Sequence, residues 1–227
     1  MGRKSMKGKN AIVTGGTGGV GSVVVRRLVE HGANVLATVS RANEKIATGA
    51  IAMKVDITSE REVEELFARG KKEFGSIDIM VNTVGGYLPE KALSEVTLAE
   101  WESMMEKNLK TAFLCTRAAV RAMKGRDYGR IINFSAKIAL RPTAGRAPYA
   151  ISKASVSLLT EIVSQELRGT GITIHAIAPG ILATAANKES MPNADTRGWV
   201  SPESIADLIL WLCSEHGNAV SGTTLQT

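Results

Sequence analysis

Six short apolar runs rich in β-branched residues limit this chain more than any other feature. They are NAIVT (10–14), NVLATV (34–39), AIAMKV (50–55), IDIMVN (77–82), RIINFS (130–135) and TIHAIA (173–178). Successive side chains of a strand point to opposite faces, so a strand apolar throughout must be covered on both. The stretches between several of these runs supply the cover: GSVVVRRLVEHG, SEREVEELFARGKKEFG and TLAEWESMMEKNLKTAFLCTRAAVRAMKG all read as helices. The second opens at Ser59 with Glu62 three residues on, the pattern of a capping box, and ends near Gly75. Strands alternating with helices predict an α/β fold, a parallel sheet doubly wound by right-handed crossovers. No Pro/Ser-rich linker divides the 227 residues, so the expectation is one domain over 1–227.

Composition removes several classes of function. Lys and Arg outnumber Asp and Glu by 28 to 22, but they are scattered, and aromatics are only 4%. Neither a basic stripe nor a stacking platform for nucleic acid follows, whereas a mildly basic surface suits an anionic cofactor or substrate. No apolar run approaches the roughly 20 residues of a membrane span. The basic start MGRKSMKGKNAIV reads as neither a secretory leader nor an N-acylation signal, since Met6 stands where that motif has Ser or Thr. Cys115 and Cys213 sit in apolar helical patterns, as core or interface residues of a reducing, cytoplasmic compartment would. His31, His175 and His216 have no ligand spacing, so no metal is expected.

Chemistry enters at VTGGTGGVGSVVV, between the first strand and the first helix. Glycines there allow a tight turn and let backbone N–H groups approach a pyrophosphate at a helix N-terminus. Gly16, Gly18 and Gly21 fit G-x-G-x-x-G, while Gly15, Gly19 and Gly21 fit T-G-x-x-x-G-x-G; spacing does not choose between them. Dinucleotide enzymes often end the second strand on an acid for the ribose hydroxyls. That end here reads Val39-Ser40-Arg41, with no carboxylate and an arginine able to pair with a 2′-phosphate. NADP(H) is therefore expected ahead of NAD(H). Asp56 and Ile57 follow the third strand; with Ser59 and Glu62 supplying the helix cap, Asp56 is left for the adenine edge.

YAISK then places Tyr149 and Lys153 four residues apart, on one face of a helix. An ammonium beside a phenol favours the phenolate and readies the tyrosine for proton transfer. With TGGTGGVG, NTVG, IINFSA, YAISK and PGILAT in this order, the chain resembles the short-chain dehydrogenase/reductase family over about residues 6–225. The resemblance implies a Rossmann fold with a parallel seven-stranded sheet, and a dinucleotide held by Gly15, Thr17, Gly18, Gly19, Val20 and Gly21. Ser40, Arg41, Asp56, Ile57, Asn82 and Gly85 would serve its adenosine side, and Pro179, Gly180, Ile181 and Thr184 the nicotinamide. It implies catalysis by Ser135, Tyr149 and Lys153: hydride moves between nicotinamide and a carbonyl carbon while Ser135 steadies the oxygen and Tyr149 protonates it. Lys153 lowers the tyrosine pKa and holds the nicotinamide ribose, so that Tyr149 and Lys153 also line the cofactor. Asn108 would hold a relay water. The family's habit implies a homotetramer or homodimer through the helices near 98–124 and 149–168, with Ala118, Ala154 and Leu158 among the contacts. One departure is the ending SGTTLQT in place of D-G-G, which suggests a shortened last strand.

Substrate choice is expected in a lid at about 181–200, since the segment after the sixth strand has no helical or alternating period. Gly86, Tyr87, Lys137, Met191 and Trp199 are the candidate substrate residues. A carbonyl or 3-oxoacyl-(acyl-carrier-protein) reductase is the first reading; Lys124, Arg126 and Arg130 could then dock an acidic carrier. VGGY (84–87) and TAANKESMPNADTRGW (184–199) also resemble dihydropteridine reductase, the second reading. A non-catalytic NADP(H)-binding redox sensor is the alternative of another class, disfavoured because Ser135, Tyr149 and Lys153 are all present.

Overall fold

The structure is a computed structural model and describes residues 5–227; the reading of the first few residues as neither leader nor acylation signal falls partly outside them. The strands β1 (Asn10–Thr14), β2 (Asn34–Val39), β3 (Ala50–Lys54), β4 (Ile79–Asn82), β5 (Gly129–Phe134), β6 (Ile172–Ala178) and β7 (Thr224–Gln226) form one sheet. Its order is β3-β2-β1-β4-β5-β6-β7, with every neighbouring pair parallel. The strand order reverses between β1 and β4, which opens a crevice beyond their carboxyl ends. β7 is a three-residue strand, joined to β6 by Ala176 opposite Thr224.

Alternate residues of the central strands serve two separate cores, as their unbroken apolar runs require. Val13 and Ile132 pack with Val24 and Leu28 of α1 (Gly21–Glu30) and with Ile205 and Ile209 of α8 (Pro202–Leu212). Their neighbours Ile12 and Ile131 face Leu66 and Phe67 of α2 (Glu60–Phe74) and Leu114 and Met123 of α4 (Thr111–Met123). Cys115 and Cys213 are buried free thiols, both pushed up to about 12 by burial.

Three local expectations need correction. Ser59 does cap α2, accepting the Glu62 N–H at 3.4 Å, and the helix ends at left-handed Gly75. The Glu62 carboxylate, however, takes the N–H of Asp56 at 2.8 Å, so the box is only half made. The helix expected across 98–124 is interrupted: α3 (Leu98–Met104) passes through a π-helical turn, Met105–Lys110, before α4. The segment after β6 is also not irregular throughout. Thr184 accepts the Asn187 N–H at 3.3 Å and caps a one-and-a-half-turn helix, α7 (Ala185–Ser190). The base of this loop is tied by a Leu182–Val200 bridge, with Ala183 N–H to Val200 C=O and Val200 N–H to Ile181 C=O both at 2.8 Å. Among the described residues no helix is long and apolar enough to cross a membrane.

Candidate active site

All seven strands run the same way, so the loops that follow them gather on one edge of the sheet. The first is the glycine loop. A Cβ at Gly21 would lie 2.0 Å from the Gly15 carbonyl oxygen, and one at Gly15, where φ is +67°, would lie 2.8 Å from a Val84 methyl. One at Gly19 would meet the Thr184 methyl at 2.5 Å, so the loop after β6 touches the glycine loop directly. Helix α1 starts with Val20 at its cap, no side-chain acceptor and no acid in its first turn. Its positive end is left for an outside anion, and the cradle fits a dinucleotide pyrophosphate. Thr17, Gly18 and Gly19 are exposed on this loop, whereas the Val20 side chain is buried.

The end of β2 holds a carboxylate after all. Glu44 folds back so that its oxygens accept the Ser40 N–H at 2.9 Å, the Arg41 N–H at 3.2 Å, the Ser40 hydroxyl at 3.1 Å and the Thr17 hydroxyl at 3.2 Å. These donors hold its carboxyl below the ordinary glutamate value, the Arg41 N–H first. Glu44 lies five residues beyond the strand, which is why reading only the strand end missed it. Asp56 is not idle: one carboxylate oxygen accepts the Thr58 N–H at 2.9 Å and its hydroxyl at 2.7 Å. Ile57 is 7% exposed and belongs to the core. Asn82 is also turned inwards, its amide donating to Asn133 at 2.7 Å, so only the backbone of these two residues is left for a ligand.

The Val84–Gly85 segment ties the cradle to the other half of the site. Val84 touches Gly15, and a Cβ at Gly85 would lie 2.8 Å from both Lys153 Nζ and Asn108 Oδ1. Asn108 lies in the π-helical turn, where its buried side chain clamps the next residue: Oδ1 accepts the Gly86 N–H at 2.9 Å and Nδ2 donates to the Gly86 carbonyl at 3.2 Å. Nδ2 also reaches the Ser152 hydroxyl at 3.0 Å. The side chain is thus a positioning clamp on the β4 loop.

Tyr149 and Lys153 lie one turn apart on α6 (Ala147–Glu166). Lys153 is buried, and its ammonium donates to the Phe134 carbonyl at 2.9 Å; burial pushes its pKa down to about 8. The phenol of Tyr149 is raised above its ordinary value, by burial first and by Tyr87 second. Arg146 acts in the opposite direction. Ser135 has partners other than the tyrosine. Its hydroxyl donates to the Lys153 backbone carbonyl at 2.9 Å and accepts from the Ser157 hydroxyl at 2.8 Å, which fastens β5 to α6. Ala136 follows it with no hydroxyl to offer.

The remaining candidates stand around this pair. The Tyr87 ring meets the Tyr149 ring edge-on, centroids 5.4 Å apart, and its hydroxyl accepts from Arg146. Lys137, exposed, opens the short helix α5 (Lys137–Leu140) with its N–H on the Pro179 carbonyl at 2.9 Å. Gly180 donates its N–H to Thr227 at 3.1 Å, and Ile181 is exposed. Met191 and Trp199 are half-buried in a loop otherwise largely open to solvent. Arg130 is not a docking residue: it is fully buried, bonded to the Gly129 and Gly171 carbonyls and to Asn218.

Comparison with known proteins agrees with this geometry. Residues 9–195 match the family model described as short chain dehydrogenase. The chain is 32% identical to 3beta-hydroxysteroid dehydrogenase 1 of Eggerthella lenta, over 97% of this chain and 92% of that protein. It is 29% identical to the 3-oxoacyl-[acyl-carrier-protein] reductase FabG of Vibrio cholerae, over 97% and 96%. A crystal structure of a dehydrogenase/reductase from Sinorhizobium meliloti 1021 superposes with a TM-score of 0.87 at 30% identity, covering 99% of this chain and 95% of that one.

Proposed function

Because the chain belongs to the short-chain dehydrogenase/reductase family of oxidoreductases, we propose that it is a cytoplasmic NADP(H)-dependent reductase of small-molecule ketones, with Tyr149 as the proton donor. The observation that carries this reading is the Tyr149–Lys153 pair on one turn of α6, joined through Gly85 and Val84 to the glycine cradle. A nicotinamide held at the glycine cradle would supply hydride chemistry at the carbonyl carbon. As the C=O electron pair moves onto oxygen, Tyr149 gives that oxygen its phenolic proton, and the tyrosinate is reprotonated from solvent. The raised phenol pKa keeps the proton on Tyr149 until the alkoxide forms. Lys153 supplies a buried cation beside Gly85 that favours the tyrosinate once formed.

Arg41 supports NADP(H), since its guanidinium suits a 2′-phosphate. Glu44 opposes it, because its carboxylate takes the donors such a phosphate would use. The apolar stripe Ile151, Leu158 and Ile162 on α6, with Phe113 on α4, is exposed and would be covered in a homodimer or homotetramer.

A second reading, a dihydropteridine reductase-like enzyme, gains from the engagement of Ser135 by α6, which removes the main contrast with that family. A panel of activated ketones, a 3-oxoacyl thioester and a quinonoid dihydropterin separates the two. Tyr149→Phe should retain nucleotide binding and lose at least about tenfold in kcat, about 1.4 kcal/mol. A variant that turns over nearly as fast as the wild type removes Tyr149 as the acid.

A further inference from the structure

A carbonyl oxygen that gains charge is best met by a second donor besides the acid. Ser135 does not offer one, because its hydroxyl hydrogen is on the Lys153 carbonyl and its oxygen takes the Ser157 hydroxyl. The adjacent Ala136 has none. A different hydroxyl stands beside Tyr149. Tyr87 sets its ring at 77° to the Tyr149 ring with centroids 5.4 Å apart, on the exposed side of the site.

We propose that Tyr87 is a catalytic residue, its phenolic O–H donating to the substrate oxygen beside Tyr149, and that Arg146 is the residue that positions it. The inference rests on the reading of Tyr149 as the acid. Tyr87 is held by one direct hydrogen bond and by contacts that fix its neighbours. Arg146, the residue just ahead of α6 and three before Tyr149, donates to the Tyr87 oxygen. Arg146 is steadied in turn by the Leu88 carbonyl at 3.4 Å and the Glu90 carboxylate at 3.5 Å. At the residue preceding Tyr87, Asn108 grips both backbone groups of Gly86. A phenol whose oxygen already accepts from a guanidinium keeps its own hydrogen to give away. That hydrogen stays on Tyr87 throughout: it stabilises the alkoxide, while the transferred proton is the one from Tyr149.

The test uses the full chain with the fastest substrate among 2,3-butanedione, phenanthrenequinone, ethyl 4-chloroacetoacetate and a 3-oxoacyl thioester. Tyr87→Phe keeps the ring and should lower kcat by tenfold or more, with nucleotide affinity by intrinsic fluorescence and melting temperature both unchanged. Arg146→Met should reproduce part of that loss and Arg146→Lys recover it, a rescue that mere packing would not give. An unchanged kcat in Tyr87→Phe, or a larger kcat loss in Ser135→Ala than in Tyr87→Phe, overturns the proposal. Tyr149→Phe is measured alongside. If it stays active, or if the wild type reduces nothing in the panel, the reading of Tyr149 falls and this one with it. If Tyr149→Phe is inactive while Tyr87→Phe is not, only the role of Tyr87 falls.

Discussion

At the scale of single residues the site turns on where hydroxyls and carboxylates spend their hydrogen bonds. Glu44 fills three donors at the end of β2 and the Thr17 hydroxyl of the glycine loop, and a 2′-phosphate aimed at the same donors would meet a like charge. Glu44→Gln should therefore tighten NADP(H) about tenfold relative to NAD(H), and Arg41→Asp should do the reverse. Calorimetric titration of each nucleotide into each variant measures both, and a Glu44→Gln protein with an unaltered preference would refute the argument. Tyr149, Lys153 and the glycines were legible in the sequence because their function needs fixed spacing on one element. Glu44 was not, since its carboxylate reaches the strand end by a fold-back that no spacing rule encodes. The orientation of Ser135 was equally hidden: a serine at a strand end reads the same whether its hydroxyl faces a substrate or the helix behind it.

At the scale of elements, the strands were legible because burial on both faces writes an unbroken apolar run. The break at Met105–Lys110 was not, as MEKNLK has ordinary helix-forming residues and a π-helical turn differs from an α-helical one only in its hydrogen bonding. Helix α7 was missed for a different reason, being too short to show a period. Its loop is tied at Leu182 and Val200 yet exposed across most of 185–198, so it has little burial to resist opening. Hydrogen exchange should accordingly be fast across 185–198 and slow at Ala183 and Val200 in the free protein. NADPH with a substrate should slow the exposed part. Strong protection there without ligand would make it a fixed loop and move substrate choice to Gly86, Tyr87 and the Ala136–Pro142 segment.

For the whole molecule, the cost of its buried polar groups fixes how it responds to acid. His175 is fully buried between sheet and helix, and burial together with the Arg130 cation pushes its pKa from 6.5 down to about 4. A folded pKa below the unfolded one means that the unfolded chain binds the proton first. The penalty is absent above about pH 6.5 and grows as pH falls toward 4, reaching about 3 kcal/mol from this group alone. Urea unfolding across that range should show the decline, and His175→Gln should flatten it. Assembly gives a second prediction at this scale. Leu158→Arg places a charge in the exposed α6 stripe and should lower the mass seen by light scattering, whereas a monomeric wild type would remove the proposed oligomer. The strand order also sets a timetable for folding. Strands β1, β2 and β3 are contiguous in the chain and can pair as soon as they are made, but the other edge of β1 must wait for β4, with Ala11 meeting Ile79 across the whole of α2. During synthesis an apolar strand therefore stands with its hydrogen-bonding edge open, and that interval is when the nascent chain is most exposed to association with its own copies and most dependent on chaperones.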